Sequence, residues 1–238
     1  MHLRARSPEE ADIEATAYRN SMETLSQHYG TRPIAIPEDR WRSQNAMMKA
    51  RLLAHLEIFV PLYARNCEIR RIGKQEAAAF LSDNHSYGDA SCRYRYGMFL
   101  KRHTGHLAAQ MQKAEDLPSK LHIAPGTLVA AAEFSNARKW TKGDKTIRSY
   151  EWVRYASAAG TRICGGMGKF LRTFISEVSP DDIMSYADIE WSEGSVYEKL
   201  GFSPEGEKAS VLFRVDCRTY IRTAIRQDMQ EVNNEVSA

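Results

Sequence analysis

Cysteine is sparse in this chain, and its spacing is uninformative. The four thiols, Cys67, Cys92, Cys164 and Cys217, never stand as C-x-x-C. A zinc ribbon or a redox dithiol is therefore not expected, and neither is a metal site. Reduced thiols suit a cytoplasmic protein, which is the expected location. Long apolar runs are also missing. No stretch approaches the roughly 18 consecutive apolar residues that mark a membrane-spanning helix. The basic start, Met1-His2-Leu3-Arg4-Ala5-Arg6, runs into acidic residues and not into an apolar segment, so no signal peptide is expected. A strong charge of one sign is absent too. Lys and Arg number 33 against 30 Asp and Glu, a net charge of +3. That balance permits an anionic partner without demanding one, and it falls short of a dedicated nucleic-acid coat. There is no internal repeat and no low-complexity tract.

What is present suits an ordinary core. The 238 residues are 43% hydrophobic and 10% aromatic, enough for one large domain or a domain with an extension. Residues 1–66 read as a helical extension. Ser7-Pro8-Glu9-Glu10 is a start signal, with a capping serine, a proline in the first turn and acids at the positive dipole end. A second helix is expected over Glu38 to Leu62, where Met47, Met48, Leu52, Leu53, Leu56 and Phe59 form an apolar stripe.

From Glu68 the pattern alternates. Strands are expected at Glu68–Ile72, Tyr94–Leu100, Thr127–Phe134, Ser149–Ala156, Ile183–Ala187 and Ala209–Val215. Helices are expected at Lys74–Asp83, after Gly165 up to Val178, and before Gly201. Lys113 to Gly126 reads as an exposed connection. From Thr219 a charged helical tail is expected. The order implies an α/β (α+β) fold with a mixed, mostly antiparallel sheet flanked by helices. The expected divisions are 1–66, 67–218 and 219–238.

Two segments carry chemistry. Gly165-Gly166-Met167-Gly168-Lys169 opens a helix whose residues Phe170, Leu171, Phe174 and Ile175 recur at helical spacing. A glycine loop at a helix N-terminus leaves N–H groups uncovered where the helix dipole is positive, which favours an anion such as phosphate. About thirty residues later comes Val196-Tyr197-Glu198-Lys199-Leu200-Gly201-Phe202, a short helix closed by a glycine turn.

Together these segments resemble the acyl-CoA-binding motifs of the GNAT acyltransferase superfamily. With Phe80-Leu81-Ser82-Asp83-Asn84-His85, Tyr150-Glu151-Trp152-Val153-Arg154-Tyr155 and Ser185-Tyr186-Ala187-Asp188-Ile189-Glu190-Trp191-Ser192, they resemble a divergent branch that includes the phage Mom-type DNA-modification proteins. The resemblance covers roughly residues 68–215. It implies acetyl-CoA or a related acyl-CoA as donor, and an amine as acceptor. The exocyclic amine of adenine in DNA or RNA is one acceptor it implies; a small-molecule or protein amine is the alternative, and a non-catalytic binding module is another.

The resemblance also distributes roles. Gly165, Gly166, Met167, Gly168 and Lys169 would hold the CoA pyrophosphate. Arg162 would join them if aligned with Gly165, in which case Met167 takes the place of the family's second glycine. Tyr197 would lie beside the CoA sulfur and supply a proton there. Asp188, or Glu151 through a water, would take the proton from the amine. Asn84 and Ser185 would border the acceptor, Trp191 would stack on it, and His85 would act as base or contact. Each has a bland alternative: a structural turn, a core aromatic, a satisfied histidine, or a charge paired with a nearby arginine.

Overall fold

The computed structural model describes residues 7–31, 33–102, 123–188, 191, 194–206, 213–216 and 218–224. Two compact units are present. The smaller holds the N-terminal residues through Ile36 together with 188–193; the larger holds the rest.

In the smaller unit, helix α1 (Pro8–Tyr29) begins as the sequence anticipates. Ser7 is extended and its hydroxyl accepts from the Glu10 N–H, with Glu9 and Glu10 in the first turn. Gly30 ends the helix in the left-handed region.

The larger unit starts with a correction. The single helix expected from Glu38 to Leu62 is two helices and a strand. Helix α2 (Glu38–Ser43) and helix α3 (Asn45–His55) are separated by Gln44, which leaves the helical region. Strand β1 (Val60–Tyr63) follows. Pro61 has no N–H and clashes with the preceding turn, so the helix cannot run through it. Met47 and Met48 of the expected apolar stripe are buried in α3, but Leu56 is exposed and Phe59 lies beyond the helix.

A 3-10 turn (Ala64–Asn66) leads into β2 (Cys67–Arg71), α4 (Lys74–Asn84), β3 (Tyr94–Leu100) and β4 (Leu128–Phe134). Strand β5 (Arg138–Lys142) was not anticipated; it forms a hairpin with β6 (Lys145–Ser157). A short β7 (Thr161–Cys164), also unanticipated, pairs in parallel with β1. Helix α5 (Gly166–Val178), strand β8 (Asp182–Ser185) and helix α6 (Ser195–Glu198) come next. Most of the expected connection at Lys113–Gly126 lies outside the described residues, as do the first residues of the strand expected at Ala209–Val215.

The six-stranded sheet runs β2-β3-β4-β6-β5, with β8 joined to β6. All its ladders are antiparallel except β6–β8. It is the mixed, mostly antiparallel sheet flanked by helices that the element order implies. One face carries α5. Phe174 stacks on Phe134 with ring centres 4.0 Å apart, and Tyr96, Met98, Trp152 and Phe170 complete that core. The other face carries α4, where Leu81 meets Ala131 and Ala156. Burial of these side chains contributes about 1.5–3 kcal/mol each, which makes the two faces the main source of stability.

The helical tail expected from Thr219 is also corrected. Strand β9 (Phe213–Val215) turns back into β10 (Arg222–Ala224). Asp216 Oδ1 accepts from the N–H groups of Arg218 and Thr219 and from the Thr219 hydroxyl. That side-chain turn competes with a helix start and wins. Residues 225–238 lie outside the described part.

Candidate functional site

The site is built where β6 changes neighbours. Parallel pairing with β8 ends at Trp152 opposite Ser185. The Ser185 hydroxyl donates to the Trp152 carbonyl at 2.9 Å and closes the ladder. Among the described residues no strand pairs with that edge of β6 further on. One step later β6 bulges: Phe134 faces Trp152, but Glu133 faces Arg154, so Val153 is an extra residue. An extra residue shifts the side-chain phase by one. Tyr150 and Trp152 face α5 before the bulge, and Tyr155 faces it after, packed edge-on to Phe170. Glu151 and Arg154 take the opposite face. The bulge is clamped on both sides: the Arg154 guanidinium donates to the Val153 carbonyl, and the Trp152 indole N–H to the Arg154 carbonyl.

Helix α5 then begins without a side-chain cap. Its first N–H groups have no partner within the helix, and the first N–H that bonds back is that of Lys169, to the Gly165 carbonyl. Gly165 sits at φ 75°, where an L side chain is strained. Gly166 is needed for a different reason. A Cβ there would lie 2.9 Å from Ile163 Cβ and 3.0 Å from the Tyr155 hydroxyl.

A cleft of about 850 Å³ opens beside this helix start, lined by Tyr63, Arg65, Cys164, Gly165, Lys169 and Arg172 among others. Lys169 does not extend into it as a free cation. Its ammonium donates to the Ala64 and Cys67 carbonyls and ties α5 to the 3-10 turn. The exposed cations of the cleft are Arg65 and Arg172, and of these the sequence reading missed Arg172. Arg172 follows Lys169 by one helical turn, a spacing that the sequence does contain. Arg162 is exposed on β7 with its guanidinium over the Phe59 ring; it is not among the cleft residues.

Tyr197 lies half-buried, edge-on to Trp152 and Phe202. Its carbonyl accepts from the Leu200 and Phe202 N–H groups, which winds the segment into its turn. Ser185, Trp152, Val153 and Tyr197 thus gather at the parting of β6 and β8. Asp188 and Trp191 belong to the smaller unit, where the Trp191 N–H donates to the Asp188 carbonyl at 3.1 Å and the indole is buried.

The α4 face of β6 is polar and charged. Glu133 is 0% exposed. Its Oε1 accepts from Arg95 Nε, and its Oε2 from the Ala90 N–H, each at 3.1 Å. Burial, and then Asp89 beside it, push its pKa up to about 7. Two adjacent carboxylates cannot both ionise cheaply, so this pair keeps a proton well above the ordinary range. Glu151 is on the same face, with Arg138 3.9 Å from its carboxylate.

Asn84 is fully used as a brace. It donates to the Phe80 carbonyl and accepts from the Ala159 N–H at 2.7 Å. His85 Nδ1 accepts from the Tyr87 N–H, which leaves the ring proton on Nε2. Burial, then Arg154, Arg51 and Arg40, lower its pKa to about 3. A neutral ring with Nδ1 occupied can donate from Nε2, but it is a poor proton acceptor at neutral pH.

Among the described residues no group of three His, Cys, Asp or Glu is arranged to hold a metal ion. No described helix is long and apolar enough to cross a membrane.

No family model matches the chain, and no curated protein matches it. Among solved structures, the BH1408 protein from Bacillus halodurans, solved as a tetramutant, is similar at 9% identity. That match covers 61% of this chain and 99% of that one, with a TM-score of 0.38. The integron cassette protein VCH_CASS6 from the mobile metagenome of V. cholerae is similar at 13% identity. It covers 63% of this chain and 93% of that one, also with a TM-score of 0.38. A TM-score at that level does not establish a shared fold.

Proposed function

We propose that this chain is a GNAT-like acyltransferase that moves an acyl group from a CoA thioester to an amine. The observation that carries the reading is the uncapped, glycine-rich start of α5. It opens on a cleft with two exposed arginines, one short strand beyond the bulge at which β6 parts from β8. The residues present fit the donor. Free N–H groups, the positive end of a thirteen-residue helix, and Arg65 and Arg172 suit a pyrophosphate.

A CoA thioester supplies an activated acyl carbonyl. The chain supplies position and proton handling. Holding the reacting groups in place accounts for much of the rate in such a reaction. The new N–C bond forms as the C–S bond breaks, so the amine loses a proton and the sulfur gains one. Glu151 is the proton acceptor on the α4 face, through a water. Tyr197, against Trp152, is the donor toward sulfur. His85 orients the acceptor from Nε2 and takes no proton. The acceptor amine is that of a nucleobase, as in the Mom-type branch, with a small-molecule amine as the alternative.

The test is direct binding. CoA and acetyl-CoA at about 100 times Kd should raise stability by about 2.7 kcal/mol, read as a thermal shift. Arg172→Ala and Gly168→Glu should each reduce that shift. No CoA-dependent shift in the millimolar range would end the proposal. Mass spectrometry of nucleosides from expressing cells then tells the nucleobase acceptor from the alternative.

A further inference from the structure

On the α4 face, three arginines converge on one loop, and among the described residues no acid pairs with two of them. Arg40 comes from α2, Arg51 from α3 and Arg154 from β6. The Ser86 carbonyl accepts from Arg40 at 3.2 Å and from Gln44 at 3.0 Å. The Ser86 hydroxyl accepts from Arg51 at 3.4 Å, and the Gly88 carbonyl from Arg154 at 3.1 Å. The Tyr87 ring has the Arg40 guanidinium 4.4 Å from its centre and that of Arg154 at 5.7 Å.

Pinning a loop explains some of this, but not the charge. Arg40 is 4% exposed. Among the described residues neither Arg40 nor Arg154 has a carboxylate within ion-pair distance. The acid next to Arg40 in sequence, Asp39, is committed to Arg222. A buried guanidinium balanced only by carbonyl dipoles and an aromatic face is expensive. It also leaves specific atoms unmet. Arg40 Nε and Gln44 Oε1 are both buried without a hydrogen-bond partner. They lie one helical turn apart, joined by the bond from the Gln44 N–H to the Arg40 carbonyl. One is a donor and the other an acceptor. A carboxylate satisfies only the first. A hydrogen phosphate, or a phosphate ester with an adjacent hydroxyl, satisfies both.

We propose that Arg40, Arg51 and Arg154, with Gln44 and the Ser86–Gly88 loop, form a phosphate-binding site on the α4 face of the sheet. It is separate from the cleft at α5 and stands whether or not CoA binds there. Tyr87, exposed beside the arginines, gives the site an aromatic edge on which a planar group attached to the phosphate can rest.

The test uses the full chain. Inorganic phosphate, adenosine monophosphate and a short single-stranded oligonucleotide are titrated against it, with chloride at equal ionic strength and acetate as controls. Wild-type protein should bind phosphate with a shift of the Arg40 Nε–H resonance. Arg51→Gln should weaken binding at least tenfold. Binding confined to the mononucleotide and phosphate assigns a small ligand. Tighter oligonucleotide binding with a steep salt dependence assigns a polynucleotide backbone as the source. Should Arg51→Gln fail to fold, the wild-type Arg40 resonance still decides. An unshifted Arg40 signal overturns the site, and so does phosphate binding that survives Arg51→Gln, because that binding belongs to the helix start of α5. Acetate matching phosphate overturns the donor-and-acceptor argument.

Discussion

Two titratable groups on the α4 face, one buried and one half-buried, should oppose each other in the pH dependence of stability. Glu133 is raised from an ordinary 4.5 to about 7, by burial first and by Asp89 second. Between those values the folded state holds a proton that the unfolded state has released, so stability falls as pH rises. At about 1.4 kcal/mol per pH unit, the whole interval is worth about 3 kcal/mol. His85 is lowered from 6.5 to about 3 by burial and by the three arginines. Between those values the unfolded state holds the extra proton, so stability rises with pH. Its slope has the same size and the opposite sign, before solvent screening of a half-buried ring. In wild-type protein the two slopes nearly cancel from pH about 4.5 to about 6.5. Glu133→Gln keeps a neutral partner for Asp89 and removes the falling limb, so its stability should climb across that window by about 2–3 kcal/mol. His85→Gln keeps an acceptor for the Tyr87 N–H and should show the reverse. Urea unfolding followed by tryptophan fluorescence, at several pH values in the window, measures both slopes. Parallel profiles for wild type and both variants would refute the reasoning.

Gly166→Ala should cost about 1–3 kcal/mol, because the new Cβ meets Ile163 and Tyr155 with little room to yield; a drop in Tm without a change of fold by circular dichroism checks this. Tyr197→Phe should retain CoA affinity and lower kcat, since the hydroxyl matters only as charge develops on sulfur; equal turnover with the true acceptor would reduce Tyr197 to packing. Arg222→Ala should cost about 2–3 kcal/mol at neutral pH by leaving Asp39 buried without its partner. Burial alone would raise the Asp39 pKa, but the Arg222 hydrogen bond and charge, with backbone N–H groups, outweigh it and hold the pKa low. That stabilisation is lost as pH falls through the folded pKa, so the penalty of Arg222→Ala should shrink in acid unfolding curves.

The parts of the fold that were legible in the sequence are those where one local rule dominates. Ser7 with Pro8, the Gly165–Gly168 start of α5 and the Gly201 stop are set by capping and φ preference. The structure places each within a residue or two of where those rules do. The two-helix region failed because an apolar stripe does not announce where it ends. Only Pro61 marked the limit, and β1 is short enough that its pairing with β7 is a tertiary fact. The hairpin at Arg222–Ala224 was hidden by charge, which looks the same on a helix face and on an edge strand.

The candidate site was legible only in its glycines. Lys169 reads in sequence as a phosphate ligand, yet its ammonium reaches back to two carbonyls, because α5 must be fastened to the turn before β2. Arg172, one turn later, is then the exposed cation of the helix start. The larger loss is on the other face, and Val153 is its cause. In a regular strand, Trp152, Arg154 and Ala156 share one face, so the sequence pairs Arg154 with the aromatic core. The bulge moves Arg154 to the α4 side, opposite Glu133, and brings Tyr155 in beside Gly166. A register shift of one residue leaves no mark in composition or periodicity, since Val153 suits either arrangement. It nonetheless decides which face is charged, why His85 stays neutral, and where three arginines can meet. Deleting Val153 removes the extra residue and sets Arg154 directly after Trp152, so plain alternation should keep Arg154 on the α4 side, opposite Glu133. Such a variant should retain the low His85 pKa and phosphate binding. If deletion of Val153 instead raises the His85 pKa, the extra residue does not set the phase of β6, and Arg154 reaches the α4 side by another route.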